Sequence, residues 1–121
     1  MSCARGEDAP MANRFVVAPP GTAGYEPFIH QDLPVGEYRR VAITDAQGAL
    51  EAGYWRSEPA TYAYDFETDE TFVVLEGAAT IALDTGETVE VKAGDMAYFA
   101  EGTRSTWTIT ETFRKFVVVP A

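Results

Sequence analysis

Glu70-Thr71-Phe72-Val73-Val74-Leu75-Glu76-Gly77-Ala78-Ala79-Thr80-Ile81-Ala82-Leu83, with Asp84-Thr85-Gly86-Glu87 behind it, is the stretch on which the fold turns. Two short β-rich runs, Thr71–Glu76 and Ala78–Leu83, flank Gly77. The quartet that follows has hairpin chemistry, with a glycine free to take positive φ. The same grammar extends outward. Upstream lie Tyr38–Thr44, Leu50–Ser57 and Thr61–Phe66; downstream lie Thr88–Lys92, Asp95–Phe99, Ser105–Thr110 and Phe113–Val119. Asp45-Ala46-Gln47-Gly48 is a second hairpin-type turn, and Ala93-Gly94-Asp95 and Glu101-Gly102 punctuate the rest. Short strands at this spacing predict an all-β sandwich or barrel. No stretch shows sustained helical periodicity, and no internal repeat is present.

Alternation assigns the faces, because successive side chains of a strand point to opposite sides. On Thr61–Phe66, Tyr62, Tyr64 and Phe66 share one face and Thr61, Ala63 and Asp65 the other. On Ser105–Thr110, Ser105, Trp107 and Ile109 oppose Thr106, Thr108 and Thr110, the pattern of a half-exposed antiparallel strand. On the last run, Phe113, Lys115, Val117 and Val119 oppose Arg114, Phe116 and Val118.

The N-terminal third is less regular. Residues 1–12 are small and polar, with Gly6 and Pro10, and are expected to be disordered; Met11 is an alternative start. Arg14–Ala18 is a short apolar run able to add a strand. Pro19-Pro20-Gly21 breaks regular structure, and Gly24 to Gly36, with Pro27 and Pro34, reads as an arm or loop.

With 121 residues the chain makes one domain and needs no disulfide or metal staple to bury a core. Nine basic residues against nineteen acidic ones give a net charge of −10. That excludes the basic footprint a nucleic-acid binder needs and disfavours anionic membrane surfaces. The single cysteine, Cys3, rules out an intrachain disulfide. No apolar run reaches the roughly 20 residues of a transmembrane helix, and the first residues lack a signal-peptide core. A cytoplasmic location is therefore expected.

The segment Glu70-Thr71-Phe72-Val73-Val74-Leu75-Glu76-Gly77, then Ala93-Gly94-Asp95 and Phe99-Ala100-Glu101-Gly102, resembles the cupin superfamily. Over residues 38–119, from Gly53-Tyr54-Trp55 through Trp107 to Arg114-Lys115-Phe116, it is similar to the small cupins of the (S)-ureidoglycine aminohydrolase and ethanolamine-utilisation group. The resemblance implies a double-stranded β-helix, a jelly-roll barrel. The chain is thus read as a tail (1–12), an N-terminal arm (13–37) and a cupin domain (38–121); a homodimer is expected because jelly-roll sheets leave edges that arms and partner strands cover, and the resemblance implies it too. The resemblance also implies a metal site of three His and one Glu. Here Tyr64, Phe66 and Ser105 stand at the His positions, and only Glu70 matches. Tyr, Phe and Ser do not replace imidazoles as ligands for Mn, Fe or Zn. No metal cofactor is expected.

The interior face then supplies the candidate site. Glu70 is either a general acid or base or a carboxylate satisfied by an internal Tyr or Lys. Lys115 shares an inward face with Phe113 and Val117, and either pairs with Glu70 or snorkels to solvent. These two are the candidate catalytic residues, with Lys115 able to hold an anion. Tyr64, Phe66, Ser105, Trp107 and Tyr98 are the candidate ligand-binding residues, lining an aromatic pocket or else filling the barrel. Tyr54, Trp55 and Tyr62 read as core or dimer interface, and so, as an alternative, does Tyr98. His30, the single histidine, reads as surface or packing, or as reaching a pocket mouth from the arm. The function expected is binding of a small polar metabolite in the barrel, with turnover possible. The alternatives are a non-catalytic sensor or accessory subunit, or a plugged barrel that works through its outer surface.

Overall fold

A computed structural model describes residues 15–44 and 49–120. Along the chain it forms β1 (Glu26–His30), β2 (Leu33–Ile43), β3 (Leu50–Ser57), β4 (Ala60–Asp65), β5 (Glu70–Leu83), β6 (Thr88–Lys92), β7 (Met96–Phe99) and β8 (Arg104–Pro120), and no helix. Leu50–Ser57 and Thr88–Lys92 match the sequence expectation to the residue. Residues 1–12, with Cys3, and the turn Asp45–Gly48 lie outside the described residues.

Four of the expected runs are two long strands. Thr71–Glu76 and Ala78–Leu83 merge into β5, and Ser105–Thr110 and Phe113–Val119 merge into β8. The two pair antiparallel from Thr71↔Val118 to Leu83↔Ser105, with register shifts clustered between Val74 and Ala79. Such irregularities bend a strand and sharpen its twist. The bend divides the pairing into two halves. Before it, β5 also pairs with β7, and β8 pairs with β3, which carries β2 and β1. After it, β5 pairs with β6, and β8 pairs with β4. The result is two antiparallel sheets sharing one bent strand pair and facing each other, the expected jelly-roll barrel.

Side chains from both sheets meet in the core. Trp55 of β3 lies edge-on to Trp107 of β8 at 6.1 Å and to Phe113 at 5.9 Å. Phe66 stacks on Phe99 at 4.7 Å, and Phe99 on Phe72 at 6.0 Å. Phe66, Phe72, Phe113, Ile81 and Val74 are fully buried. The inward and outward faces of β4 and β8 are those the alternation assigned.

The segment Gly24–Gly36 departs from expectation. It carries β1 and the start of β2, joined by a tight turn in which Gln31 and Asp32 have φ of 51° and 67°. That is the two-residue hairpin geometry. Pro27 is tolerated because β1 is an edge strand, and Pro34 because it stands at the start of β2, before the register with β3 begins at Glu37. Conversely, the described residues of Arg14–Ala18 form no strand. They pass over Tyr54, whose hydroxyl donates to the Ala18 carbonyl at 2.8 Å. Among the described residues no helix is long and apolar enough to cross a membrane.

Gly77 sits at the bend with φ of 86°, and a Cβ there would run into the Thr112 carbonyl across the strand pair. Gly86, in the Asp84–Glu87 turn, has φ of 96° and open space around it. Gly77→Ala is therefore expected to cost about 3 kcal/mol or more, through strain and displaced backbone, and Gly86→Ala only about 1 kcal/mol. Urea denaturation of both variants measures this. Equal losses would show that the bend does not depend on the glycine.

Candidate functional site

Where Phe66, Phe72 and Phe99 stack, the interior is full; beyond them it opens into a cavity of about 350 Å³. Each side of it comes from a different part of the chain. The β1–β2 hairpin contributes Phe28, His30 and Tyr38, and β3 contributes Glu51 and Trp55. Tyr62 and Tyr64 come from β4, Glu70 from the start of β5, and Trp107, Lys115 and Val117 from β8.

The polar floor is an ion pair. Lys115 Nζ donates to Glu70 Oε2 at 2.6 Å, and both side chains are 7% exposed. Lys115 stands opposite Val74 in the register, and its ammonium passes over Phe72 at 4.3 Å. The rings of Trp107 at 4.6 Å and Trp55 at 5.2 Å complete its surroundings. Three aromatic faces and one carboxylate together offset the loss of water around the ammonium. Tyr64 Oη donates to the other carboxylate oxygen, Glu70 Oε1, at 3.2 Å. The hydrogen bonds run Tyr64–Glu70–Lys115, with both oxygens of Glu70 engaged.

The wall repeats the motif. Tyr38 Oη donates to Glu51 Oε2 at 2.9 Å. Both phenols are pushed up from the ordinary tyrosine range. For Tyr64 the causes are burial first, then the charge and hydrogen bond of Glu70; for Tyr38 they are burial, then the hydrogen bond and charge of Glu51. His30 is buried 4.4 Å from the Tyr64 ring, and its Nε2 accepts from the Asp65 backbone N–H at 3.3 Å. The Trp107 indole N–H is buried without a partner among the described residues.

Of the seven residues singled out in the sequence, Glu70, Lys115, Tyr64 and Trp107 line the cavity. The other three do not. Phe66 is 1% exposed between Tyr64 and Phe99, and plugs the filled end. The Ser105 hydroxyl is consumed by the Tyr64 carbonyl, its register partner, at 2.7 Å. Tyr98 is 56% exposed, because Phe99 takes the inward position on β7 and turns its neighbour out. Trp55 and Tyr62, read as core or interface, and Glu51 also line the cavity. Glu51 had a usable signal: alternation on β3 puts it on the face of Trp55. His30 lines the cavity from the N-terminal arm, one of the readings of the sequence, while Phe28 depends on the β1–β2 hairpin, which the two prolines concealed.

The metal set that the fold implies does not fit this site. Glu70 is the one acidic donor of the ion-pair floor, and its charge is already met by Lys115. Tyr64, Phe66 and Ser105, at the imidazole positions, offer a phenol, a hydrocarbon and a hydroxyl spent on backbone. Among the described residues no three His, Cys, Asp or Glu side chains converge on a common point.

The raised phenol of Tyr64 makes alkaline stability a readout of the site. Above pH 10.0, the ordinary tyrosine value, the unfolded chain loses that proton and the native state keeps it. The unfolded state then binds fewer protons, so stability falls as pH rises, by up to about 1.4 kcal/mol per pH unit for one group. Tyr64→Phe is expected to flatten this limb in denaturation series from pH 9 to 11. Coincident alkaline limbs would show that the phenol titrates normally.

A model of the EutQ-like cupin domain matches residues 44–116. Among solved structures, the chain is similar to ethanolamine utilization protein Q of Salmonella typhimurium LT2, with a TM-score of 0.63 and 17% identity over 79% of this chain and 93% of that one. Clostridium difficile EutQ gives a TM-score of 0.63 with 19% identity over 71% of this chain and 62% of that one. A DUF861-family protein of Thermotoga maritima gives 0.52 with 28% identity over 53% of this chain and 73% of that one. No curated protein matches the chain. With the family model covering more than half of its length, the chain belongs to the EutQ-like cupin domain family.

Proposed function

We propose that the protein binds a small polar metabolite in the barrel cavity and does so without a metal. The observation that carries this reading is the buried Glu70–Lys115 pair at the floor of an open, aromatic-walled cavity. Replacing a buried ion pair by apolar packing is often neutral or stabilising, so stability alone is a weak reason for this one. Its place facing empty space rather than solid core supports a ligand. The volume, about 350 Å³, falls within the range of small-molecule sites, and so does the mixture of apolar wall and a few convergent polar groups. A filled barrel acting only through its outside is disfavoured for the same reason.

Two roles are compatible with this floor. As a catalyst, the line Tyr64–Glu70–Lys115 would pass a proton to or from the bound molecule. The ureidoglycine aminohydrolase-like chemistry that the resemblance implies would need a donor set this chain does not carry at those positions. The engagement of both Glu70 oxygens favours the other role, a non-catalytic sensor or accessory protein. A carboxylate with no oxygen to spare must give up a hydrogen bond before it can act as a base.

A thermal-shift screen of small polar metabolites tests the binding reading. A ligand at a hundred times its Kd should add about 2.7 kcal/mol, several degrees in Tm for a domain of this size. The shift is expected to vanish in the double variant Glu70→Gln/Lys115→Met, which removes both charges together and avoids stranding one. A hit that shifts this variant as much as the native protein would mean that the floor is not the site. Separately, protein dialysed against Mn, Fe, Zn and Ni is expected to retain none near stoichiometry. Metal that is retained by the native chain and lost in Glu70→Gln would overturn the metal-free reading.

A further inference from the structure

The charges around the cavity do not balance. Its described lining carries three carboxylates, Glu51, Glu67 and Glu70, and one basic side chain that is always or ordinarily cationic, Lys115. Lys115 and Glu70 satisfy each other at the floor. Glu51 and Glu67 are left with no cation of the lining to meet them. The partner of Glu51 is the Tyr38 hydroxyl at 2.9 Å, a neutral donor that leaves the charge in place. Glu67 lies exposed just after β4, at the rim.

Between these carboxylates the wall is aromatic: Phe28, Tyr38, Trp55 and Tyr62 present rings to the same space. Ring faces carry negative quadrupole density and attract cations. The cavity already uses that attraction, in holding the Lys115 ammonium 4.3 to 5.2 Å from three rings. The phenols report the same field. Besides burial, the charges of Glu51 and Glu70 push Tyr38 up, and those of Glu70 and Glu67 push Tyr64 up, with Arg40 opposing only at Tyr38. A further negative charge placed here meets opposition from both walls. At long range, a chain of net charge −10 attracts cations and repels anions.

We propose that the metabolite this cavity takes is a small organic cation, an amine or quaternary ammonium compound, its charge met by Glu51 and Glu67 and its carbon groups lying on the rings. This deepens the cavity-binding reading and rests on it. It replaces the expectation that Lys115 holds an anion, since Glu70 already occupies that ammonium.

The chain's two tryptophans, Trp55 and Trp107, both line the cavity, so intrinsic tryptophan fluorescence reads this site. Three probes of nearly one shape separate charge from size: choline, its neutral isostere 3,3-dimethylbutan-1-ol, and the anion 3,3-dimethylbutanoate, at constant ionic strength. Choline is expected to change the emission saturably, about tenfold tighter than the alcohol, with no saturable response to the anion. Glu67→Gln, at an exposed position that the fold does not need, is expected to weaken choline several-fold and leave the alcohol unchanged. Glu51→Gln, whose amide oxygen still accepts from Tyr38, is expected to do the same. Equal or tighter binding of the alcohol or the anion would overturn the cation class and leave the cavity standing as a ligand site. No saturable response to any of the three would overturn both readings.

Discussion

The antiparallel pairing of β5 with β8, bent at Gly77 against Thr112, is the constraint on which the rest of the molecule depends. Both strands are too long for one flat sheet, and the register shifts at the bend let each serve two. Every other strand of the barrel either pairs with β5 or β8 or reaches them through β3. The pairing also sets the site. Glu70 opens β5, and Lys115 stands opposite Val74, four residues further along that strand. Both face inward, and the lysine stem is long enough to cross Phe72 and close the gap. An ion pair between residues 45 positions apart in sequence is thus a matter of strand register.

Electrostatics then gives the cavity its character. A buried ammonium needs more than a carboxylate to remain charged away from water, and three aromatic faces supply the difference here. Once that pair is closed, the described lining of the cavity has spent its lysine and retains Glu51 on the wall and Glu67 at the rim. The elevated phenols of Tyr38 and Tyr64 follow from this, since each would have to ionise beside a carboxylate as well as out of water. The same Glu position that belongs to the resemblance's metal set is held here by a lysine of the same chain.

Much of the fold was legible because alternation is a local property. The inward faces of β4 and β8 follow from counting residues by twos and the turn at Asp84–Glu87 from its glycine, while Lys115 as a partner for Glu70 is one of two readings of an inward lysine. Two failures came from reading local punctuation as final. Pro27 marks an edge strand and Pro34 the start of its neighbour ahead of the pairing with β3, not a loop, because neither position need donate its N–H to a second strand. Gly77 marks a bend within a strand and not a break between two. The site was less legible. Phe66 and Ser105 do face inward as alternation predicts, yet one is packed solid and the other is spent on a backbone carbonyl. Tyr98 faces out, displaced by Phe99.

The sequence by itself determined the all-β fold class, the strand faces and the stock of chemistry available inside: a glutamate, a lysine, tyrosines and tryptophans. These are set by composition and by a two-residue period, neither of which depends on distant contacts. Only the tertiary structure decided which inward residues meet empty space and which meet one another. It brought the β1–β2 hairpin, Glu51 and Glu67 to a cavity that no local pattern outlines, and it matched Lys115 to Glu70 so that the remaining carboxylates define the site's charge. Facing inward is a property of a strand; lining a cavity depends on how two sheets close, and closure is fixed by packing between residues far apart in the chain.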